Sequence, residues 1–260
     1  MLECSYKTTL CQAQFIFLKH TIGPHGKCMI VGDVHGQVEL LSRLMDTAEE
    51  TVPDLSGRWI VFVGDLVDRG DDPRGAVSFI LDLIKKRGKV TSIMGNHEYV
   101  LLSALGFFGE AKKREWADAY LKEFSSGPTF RSYGVEPGKY EDLEKAIPAG
   151  HKKFLSSLPW CFESTGFLVV HAGLIPDEPF TKQLKELRKR DCVRGRSPWL
   201  HEQRLVHASP PPDCPLTVVS GHVKQPSVII SEKRILVDTT GGRGGVLSAV
   251  LLPEKTVLSS

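Results

Sequence analysis

Five segments of this chain each close an apolar run with residue types that seek metal ions or phosphate. They are GDVHG at 32–36, GDLVDRG at 64–70, GNHE at 95–98, HAG at 171–173 and SGH at 220–222. In sheets where helices alternate with parallel strands, ligands collect beyond the carboxyl ends of the strands, so side chains distant in sequence meet there. Asp33 and His35, two apart on one glycine-flanked turn, can grip one ion. Asp65 can bridge two ions through its two oxygens, and Asn96, His171 and His222 can complete the second. Imidazole, carboxylate and amide together suit Mn, Fe or Zn better than calcium, which takes oxygen alone. Two such ions about 3.5–4 Å apart acidify a shared water and clamp phosphoryl oxygens, which is the equipment for splitting a phosphate ester by direct attack of the bridging hydroxide. His97, next to Asn96, is placed to protonate the leaving alcohol, with Asp68 to orient it and hold its charge. Arg69 can fork two phosphate oxygens, which a lysine would do less well.

Taken singly, each residue has a plainer explanation. An Asp after a strand is usually a turn or cap residue, and a solitary His is usually a satisfied polar group. The weight lies in six ligand types recurring at strand ends in one order. His25, His151, His201 and His207 lack such company and read as surface or loop residues, and Glu98 reads as serving the local structure.

The elements that must carry these residues follow from periodicity. Residues 27–32, 59–64 and 90–95 are short apolar runs closed by glycine. Between them lie QVELLSRLMDTAEE, with Leu40, Leu41, Leu44 and Met45 on one face, and DDPRGAVSFILDLIKKRG, with Pro73 near its start and Gly88 as its stop. Strand, helix, strand at about 30-residue spacing predicts consecutive βαβ units. Residues 167–170, 216–219, 228–230, 234–237 and 245–252 predict later strands. The long stretch between GNHE and HAG predicts an amphipathic helix near 110–124, with Trp116, Tyr120, Leu121 and Phe124 on one side. A glycine-containing loop and a second helical run around 140–158 follow. Such an insertion (106–158) would lean over a site and shape its substrate range, or would simply pack.

A chain of 260 residues with ordinary apolar content fits one large domain, here 27–260. The net charge of +2 gives no reason to expect nucleic acid as a partner. Six scattered cysteines without a CxxC pair fit reduced thiols, and hence the cytoplasm or nucleus. No apolar run reaches the roughly 18 residues that span a bilayer, so no membrane partner is expected. Residues 1–26 make a poor signal peptide or presequence and read as a peripheral extension of unknown role.

The five motifs as a set resemble the signature of the PPP-type phosphoprotein phosphatases within the calcineurin-like metallophosphoesterases. The resemblance implies an α/β fold, a central β-sandwich flanked by helices with a helical insertion over the active site. It also implies Asp33, His35, Asp65, Asn96, His171 and His222 as ligands of two metal ions, with Mn supporting activity in vitro. His97 with Asp68 would then be the acid dyad, and Arg69 one of two phosphate arginines. No SAPNYC-like segment follows SGH, and the chain runs instead through ILVDTTGGRGG, which departs from eukaryotic Ser/Thr members. The segments TFRSYGV, AIPAGHKKFLSSLPW, VVHAGL, QLKELRKRD, GRSPW and VVSGH are similar to the second type of Rhizobiales-like phosphatases of plants and algae, which are associated with phosphotyrosine. By GRSPW the second phosphate arginine is Arg196, with Arg194 as the runner-up, so Arg69, Arg196 and Asn96 would bind the phosphate. The basic run Lys182, Lys185, Arg188, Lys189, Arg190 and Arg194 is a solvated helix face or a site for a second phosphorylated residue on the substrate. The expectation is therefore a dimetal protein phosphatase that prefers phosphotyrosine. Its alternatives are a Ser/Thr phosphatase, an ApaH-like dinucleoside polyphosphate or RNA-cap hydrolase, and a catalytically dead binding module.

Overall fold

The computed structural model describes residues 26–193 and 196–260. Of the expected extension only Gly26 is among them, and Arg194 also lies outside.

Two five-stranded sheets carry the described residues. The first is built on β1 (Cys28–Val31), β2 (Trp59–Phe62) and β3 (Val90–Ser92), all parallel, with β9 (Ser248–Leu252) and β10 (Thr256–Ser259) added antiparallel beyond β1. The second places β5 (Phe167–Val170), β6 (Thr217–Ser220) and β8 (Arg234–Leu236) parallel at its centre. β4 (Cys161–Glu163) and β7 (Ile229–Ile230) form its antiparallel edges.

Alternation along the strands decides which face each residue serves. Cys28, Ile30, Val61 and Val250 from the first sheet pack with Val169, Val219 and Ile235 from the second in one buried cluster between the sheets. The residues of opposite parity, Met29, Val31, Ile60 and Phe62, join a second cluster with Leu41, Leu44, Val77 and Ile80 of the flanking helices α1 (Val38–Thr51) and α2 (Pro73–Arg87). Central strands covered on both faces need continuous apolar sequence, which is why these runs do not alternate with polar residues. The expected sandwich flanked by helices is the observed one.

Helix α2 shows how locally the boundaries are set. Asp72 caps it by accepting from the Gly75 amide at 2.8 Å, and Pro73 opens it where its missing N–H is not needed. Lys85, Lys86 and Arg87 occupy its last turn, and Gly88 at φ 72° ends it.

The stretch from GNHE onward is helical. It runs through α3 (Asn96–Ala104), α4 (Glu110–Glu123), α5 (Gly127–Ser132), α6 (Tyr140–Ala146) and α7 (Ala149–Ser157), ahead of the later α8 (Phe180–Lys189) and α9 (Pro198–His201). Three details differ from expectation. The glycine-containing loop holds α5, with Pro128 in its first turn, a position where proline's fixed φ favours a helix. On α4, Trp116, Tyr120 and Phe124 are buried, but Leu121 is turned out to solvent. The strands β4 and β10 were not foreseen.

Candidate active site

All five motifs lie just past strand ends, with GDVHG, GDLVDRG and GNHE following β1, β2 and β3, HAG following β5, and SGH closing β6. The loops are stitched to one another through the backbone. The His35 amide donates to the Asp65 carbonyl (2.8 Å), Gly36 to Leu66 (2.9 Å), Gly70 to His35 (2.9 Å) and Gly221 to His171 (3.0 Å). Five residues here adopt left-handed backbone, namely His35, Asp65, Asp68, Arg69 and His222, with φ from 43° to 72°. Such conformations persist at non-glycine residues only where the surroundings over-determine them. Glycine is required where the loops close on the carboxylates, because a Cβ on Gly95 would stand 2.1 Å from Asp65 Oδ1 and one on Gly221 1.9 Å from Asp33 Oδ1.

Glu98 is the fastening between the second and third motifs. Its Oε1 accepts from the amides of Leu66 (2.7 Å) and Val67 (3.2 Å), and its Oε2 from Asp65 (2.8 Å) and Gly95 (3.0 Å). Burial and the neighbouring Asp65 charge push the carboxyl up to about 7, against the pull of these amides. With both lone pairs of each oxygen committed to donors, no room remains for a proton, and the anion is the form this geometry accommodates.

Asp65 is the hub of the site. Its Oδ2 lies 3.4 Å from His35 Nε2, 3.4 Å from His171 Nε2 and 3.9 Å from His97 Nε2. Two triads of donor atoms result, His35–Asp65–His97 and Asp65–His171–His222. Each outer histidine is fixed by its other nitrogen, since His35 Nδ1 donates to the Val67 carbonyl and His171 Nδ1 to the Val63 carbonyl, both at 2.7 Å. A carbonyl only accepts, so the proton sits on Nδ1 and Nε2 faces the centre, the arrangement typical of metal-binding imidazoles. His97 is the member spoken for elsewhere. Asp33 stands outside both triads, its two oxygens 3.0 and 3.3 Å from the His222 amide that donates to them.

Asn96 completes the second triad. Its Oδ1 lies 2.9 Å from His171 Nε2 and 3.0 Å from His222 Nδ1, and those two nitrogens are 3.1 Å apart. Bonds of about 2.1 Å meeting at right angles on one ion would give ligand edges of about 3.0 Å, so these three atoms have the spacing of one face of an octahedral shell. The electrostatics also call for a cation. Burial pushes the His171 imidazole down, but Asp65 and Asp33 outweigh it and lift it to about 10, while burial and His171 hold His222 down to about 3. The Asp33 carboxyl is pushed well above its usual range by burial and by Asp238.

Beside the hub, His97 Nδ1 donates to Asp68 Oδ2 at 2.7 Å and its amide to Asp65 Oδ1 at 3.1 Å. Burial, with His35 adding to it, keeps the His97 imidazole below its usual value. Arg69 Nη2 reaches His97 Nε2 at 3.0 Å, and its Nη1 donates to the Gly241 carbonyl at 2.8 Å. His97 Nε2 thus lies between Arg69 Nη2 at 3.0 Å and Asp65 Oδ2 at 3.9 Å. Arg196 is exposed, its guanidinium 5.8 Å from the centroid of the Trp116 ring.

Five residues went unrecognised in the sequence. His201 is buried, not a surface residue, and stacks on Trp116 at 5.5 Å; His151 is likewise buried, against Tyr133 and Ser78. Asp238, buried in the ILVDTTGG segment, takes the Thr240 and Gly241 amides on Oδ1. Tyr120 and Thr129, from the insertion, both donate to Asp68 Oδ1. Asp238 lies in a segment already singled out after SGH, and its acid in a glycine-rich loop was a usable signal. Tyr120 carried none, because its ring completes an apolar stripe.

A family model described as calcineurin-like phosphoesterase matches residues 26–242. The chain is a calcineurin-like phosphoesterase. Members of this family are dimetal hydrolases, and the donor set above fits that chemistry. The symmetrical bis(5'-nucleosyl)-tetraphosphatase of Ralstonia nicotianae is 27% identical to this phosphoesterase over 156 residues, covering 60% of this chain and 44% of the relative. The serine/threonine-protein phosphatase BSL2 of Arabidopsis thaliana is 35% identical over 120 residues, 44% of this chain and 12% of the relative. The chain thus spans less than half the length of either curated relative. A solved structure assigned as a diadenosine tetraphosphatase superposes with a TM-score of 0.60 at 23% identity, covering 92% of this chain and 95% of that one. The cold-active protein-tyrosine phosphatase of a psychrophilic Shewanella species gives 0.56 at 19%, covering 90% and 80%. At such identities the likeness is one of fold.

Two outcomes follow from this geometry. Glu98→Gln turns an NH₂ group toward amides that need acceptors and should cost about 3–5 kcal/mol of stability. Urea unfolding measures it, and a loss below about 1 kcal/mol would contradict the fastening role. Saturating Mn²⁺ should raise the thermal midpoint of chelated protein by about 5–10 °C, as expected for a ligand near 100 times its Kd. Far-ultraviolet circular dichroism should be unchanged by chelation, and a large loss of helix would show that the site does not form without the ions.

Proposed function

We propose that this phosphoesterase is a dimetal-dependent protein phosphatase that prefers phosphotyrosine, akin to the second type of Rhizobiales-like phosphatases. One observation carries the reading, namely that His97, braced by Asp68, sets its Nε2 3.0 Å from Arg69 Nη2 and 3.9 Å from the hub oxygen Asp65 Oδ2. Asp33, His35 and Asp65 would hold one ion, and Asp65, Asn96, His171 and His222 the other. Bound there, two divalent ions supply Lewis acidity and an acidified water. The metal is Mn, Fe or Zn on the strength of the mixed imidazole, carboxylate and amide donors.

The chain's own residues supply the rest. Arg69 exchanges its contact with His97 Nε2 for a phosphate oxygen, with Asn96 and Arg196 as further phosphate contacts. His97 gives a proton from Nε2 to the leaving oxygen, and Asp68 stabilises the imidazole orientation and charge as it does so. The aromatic leaving group rests on the similarity of the TFRSYGV, AIPAGHKKFLSSLPW and GRSPW segments to phosphatases associated with phosphotyrosine. A second phosphate on the substrate would meet α8, where Lys182, Arg188 and Lys189 already face Glu178, Glu163 and Asp191, with Lys185 an exposed cation. The free thiols of Cys28, Cys161, Cys192 and Cys214 support a reducing compartment, the cytoplasm or nucleus. Among the described residues no helix is long and apolar enough to cross a membrane.

A dinucleoside polyphosphate hydrolase is the second reading, favoured by the tetraphosphatase among the relatives. Against it, Trp116 and Trp160 are buried, and Trp199, half-buried, has its Nε1 committed to Gln183. With Mn²⁺, phosphate release from a phosphotyrosine peptide should exceed both release from the matched phosphoserine peptide and cleavage of diadenosine tetraphosphate. Asp65→Asn serves as the blank. Faster cleavage of the dinucleotide would transfer the assignment to the second reading.

Phenol, with a pKa of about 10, leaves more readily than a serine alkoxide. His97→Ala should therefore lose about 10²–10³ in kcat on phosphoserine or phenyl phosphate, and much less on para-nitrophenyl phosphate. A uniform loss across leaving groups would mean that His97 does not protonate them.

A further inference from the structure

Asp68 uses one carboxylate oxygen to hold His97, and its other oxygen is held from the insertion. Tyr120 Oη, on α4, donates to Asp68 Oδ1 at 2.6 Å, and Thr129 Oγ1, on α5, donates to the same oxygen at 2.5 Å. Thr129 Oγ1 also accepts from the Asp68 amide at 3.0 Å, and the Arg69 amide donates to the Ser125 carbonyl at 3.2 Å. Tyr120, Thr129, Asp68 and His97 are all shut off from solvent. The segment from 120 to 129 thus grips residues 68 and 69 at four points, two on the carboxylate and two on backbone that is left-handed at both residues.

These contacts do more than fill space. An aspartate can swing about its Cβ–Cγ bond, and a carboxylate bound on one oxygen only is free to do so. Two donors on Oδ1 fix the plane of the group, which aims Oδ2 at His97 Nδ1 and leaves Nε2 turned to Arg69 and Asp65. The tyrosine is buried among apolar rings, tilted at 6.2 Å from both Phe124 and Phe130, so its hydroxyl has no water to turn to. A phenylalanine would satisfy that packing. The hydroxyl is explained by Asp68 alone.

We propose that Tyr120 and Thr129 are positioning residues of the acid step, holding Asp68 so that His97 meets the leaving oxygen, and that the helical insertion is thereby part of the catalytic machinery. This rests on the reading of His97 as the general acid. The insertion then acts from behind the dyad, independently of any role in shaping the substrate pocket.

The test measures kcat and KM of full-length Tyr120→Phe, Thr129→Val, Thr129→Ser and His97→Ala across phosphate esters from para-nitrophenyl to phenyl to phosphoserine peptide. Tyr120→Phe should lower kcat about tenfold on the poor leaving groups, with KM within about twofold and little change on para-nitrophenyl phosphate. Thr129→Val, which loses both a donor and an acceptor, should lose more, about 30-fold, and Thr129→Ser should restore the wild-type profile. A damaged fold or a reduced active fraction scales every substrate by one factor, so an equal loss across the series, or no loss, overturns the proposal. So does a Thr129→Ser profile matching that of Thr129→Val. If His97→Ala itself shows no dependence on leaving group, the acid reading fails. If it does and the Tyr120 and Thr129 variants do not, only the positioning role fails.

Discussion

A single buried carboxylate holds the site in its working shape. Glu98 gathers four backbone amides from two loops that leave different strands, and those loops carry Asp65, Asp68, Arg69, Asn96 and His97 between them. Left-handed backbone at a residue other than glycine costs on the order of 1–2 kcal/mol, and the segment from Asp65 to Arg69 contains three such residues. Hydrogen bonds to an ionised acceptor are about twice as strong as neutral ones and offset that strain. The contorted path matters because it brings the Asp65, Asp68 and Arg69 side chains of one short loop to the site together.

The remaining donors come from the other sheet. His171 follows β5 and His222 follows β6, while Asn96 follows β3, yet the three atoms meet within 3.1 Å. Such closeness depends on how the sheets pack. The apolar cluster of Ile30, Val61, Val169 and Val219 sets the separation of the sheets and therefore the spacing of the donors. Close-packed interiors transmit small volume changes, so core residues with no polar atom can alter ion binding.

How much of this was legible in the sequence depended on whether a residue's role was local. The motifs and the strands beneath them were readable because apolar runs closed by glycine have a period and an end. Helix α2 was readable to within a residue, with Pro73 and Gly88 as its punctuation. The grouping of His35, Asp65, His171, His222 and Asn96 followed from one topological rule about strand ends. Tyr120 was hidden because a tyrosine on an apolar stripe looks like core, and in packing terms it is core. Thr129 sat in what looked like a loop. His201 looked solitary because its partner Trp116 lies 85 positions earlier in the chain. Each of these three is a polar residue whose setting is made by a partner far away in sequence and close in space.

The division of labour between the chain and its ions follows from where the loops get their order. Classical zinc fingers owe their fold to the metal because nothing else arranges the ligands. Here backbone amides, the Glu98 carboxylate and the sandwich core arrange them first. His35 and His171 are already tautomerically fixed by the Val67 and Val63 carbonyls, with Nε2 turned inward. What the protein alone does not resolve is charge, because Asp33 and Asp65 are buried together and draw a proton onto His171. Two divalent ions would relieve that repulsion without moving the backbone. A pre-ordered pocket with buried, mutually repelling carboxylates suits small divalent cations by geometry and by charge together, and on the proposed reading the contact between His97 and Arg69 is the one that would open for an arriving phosphate.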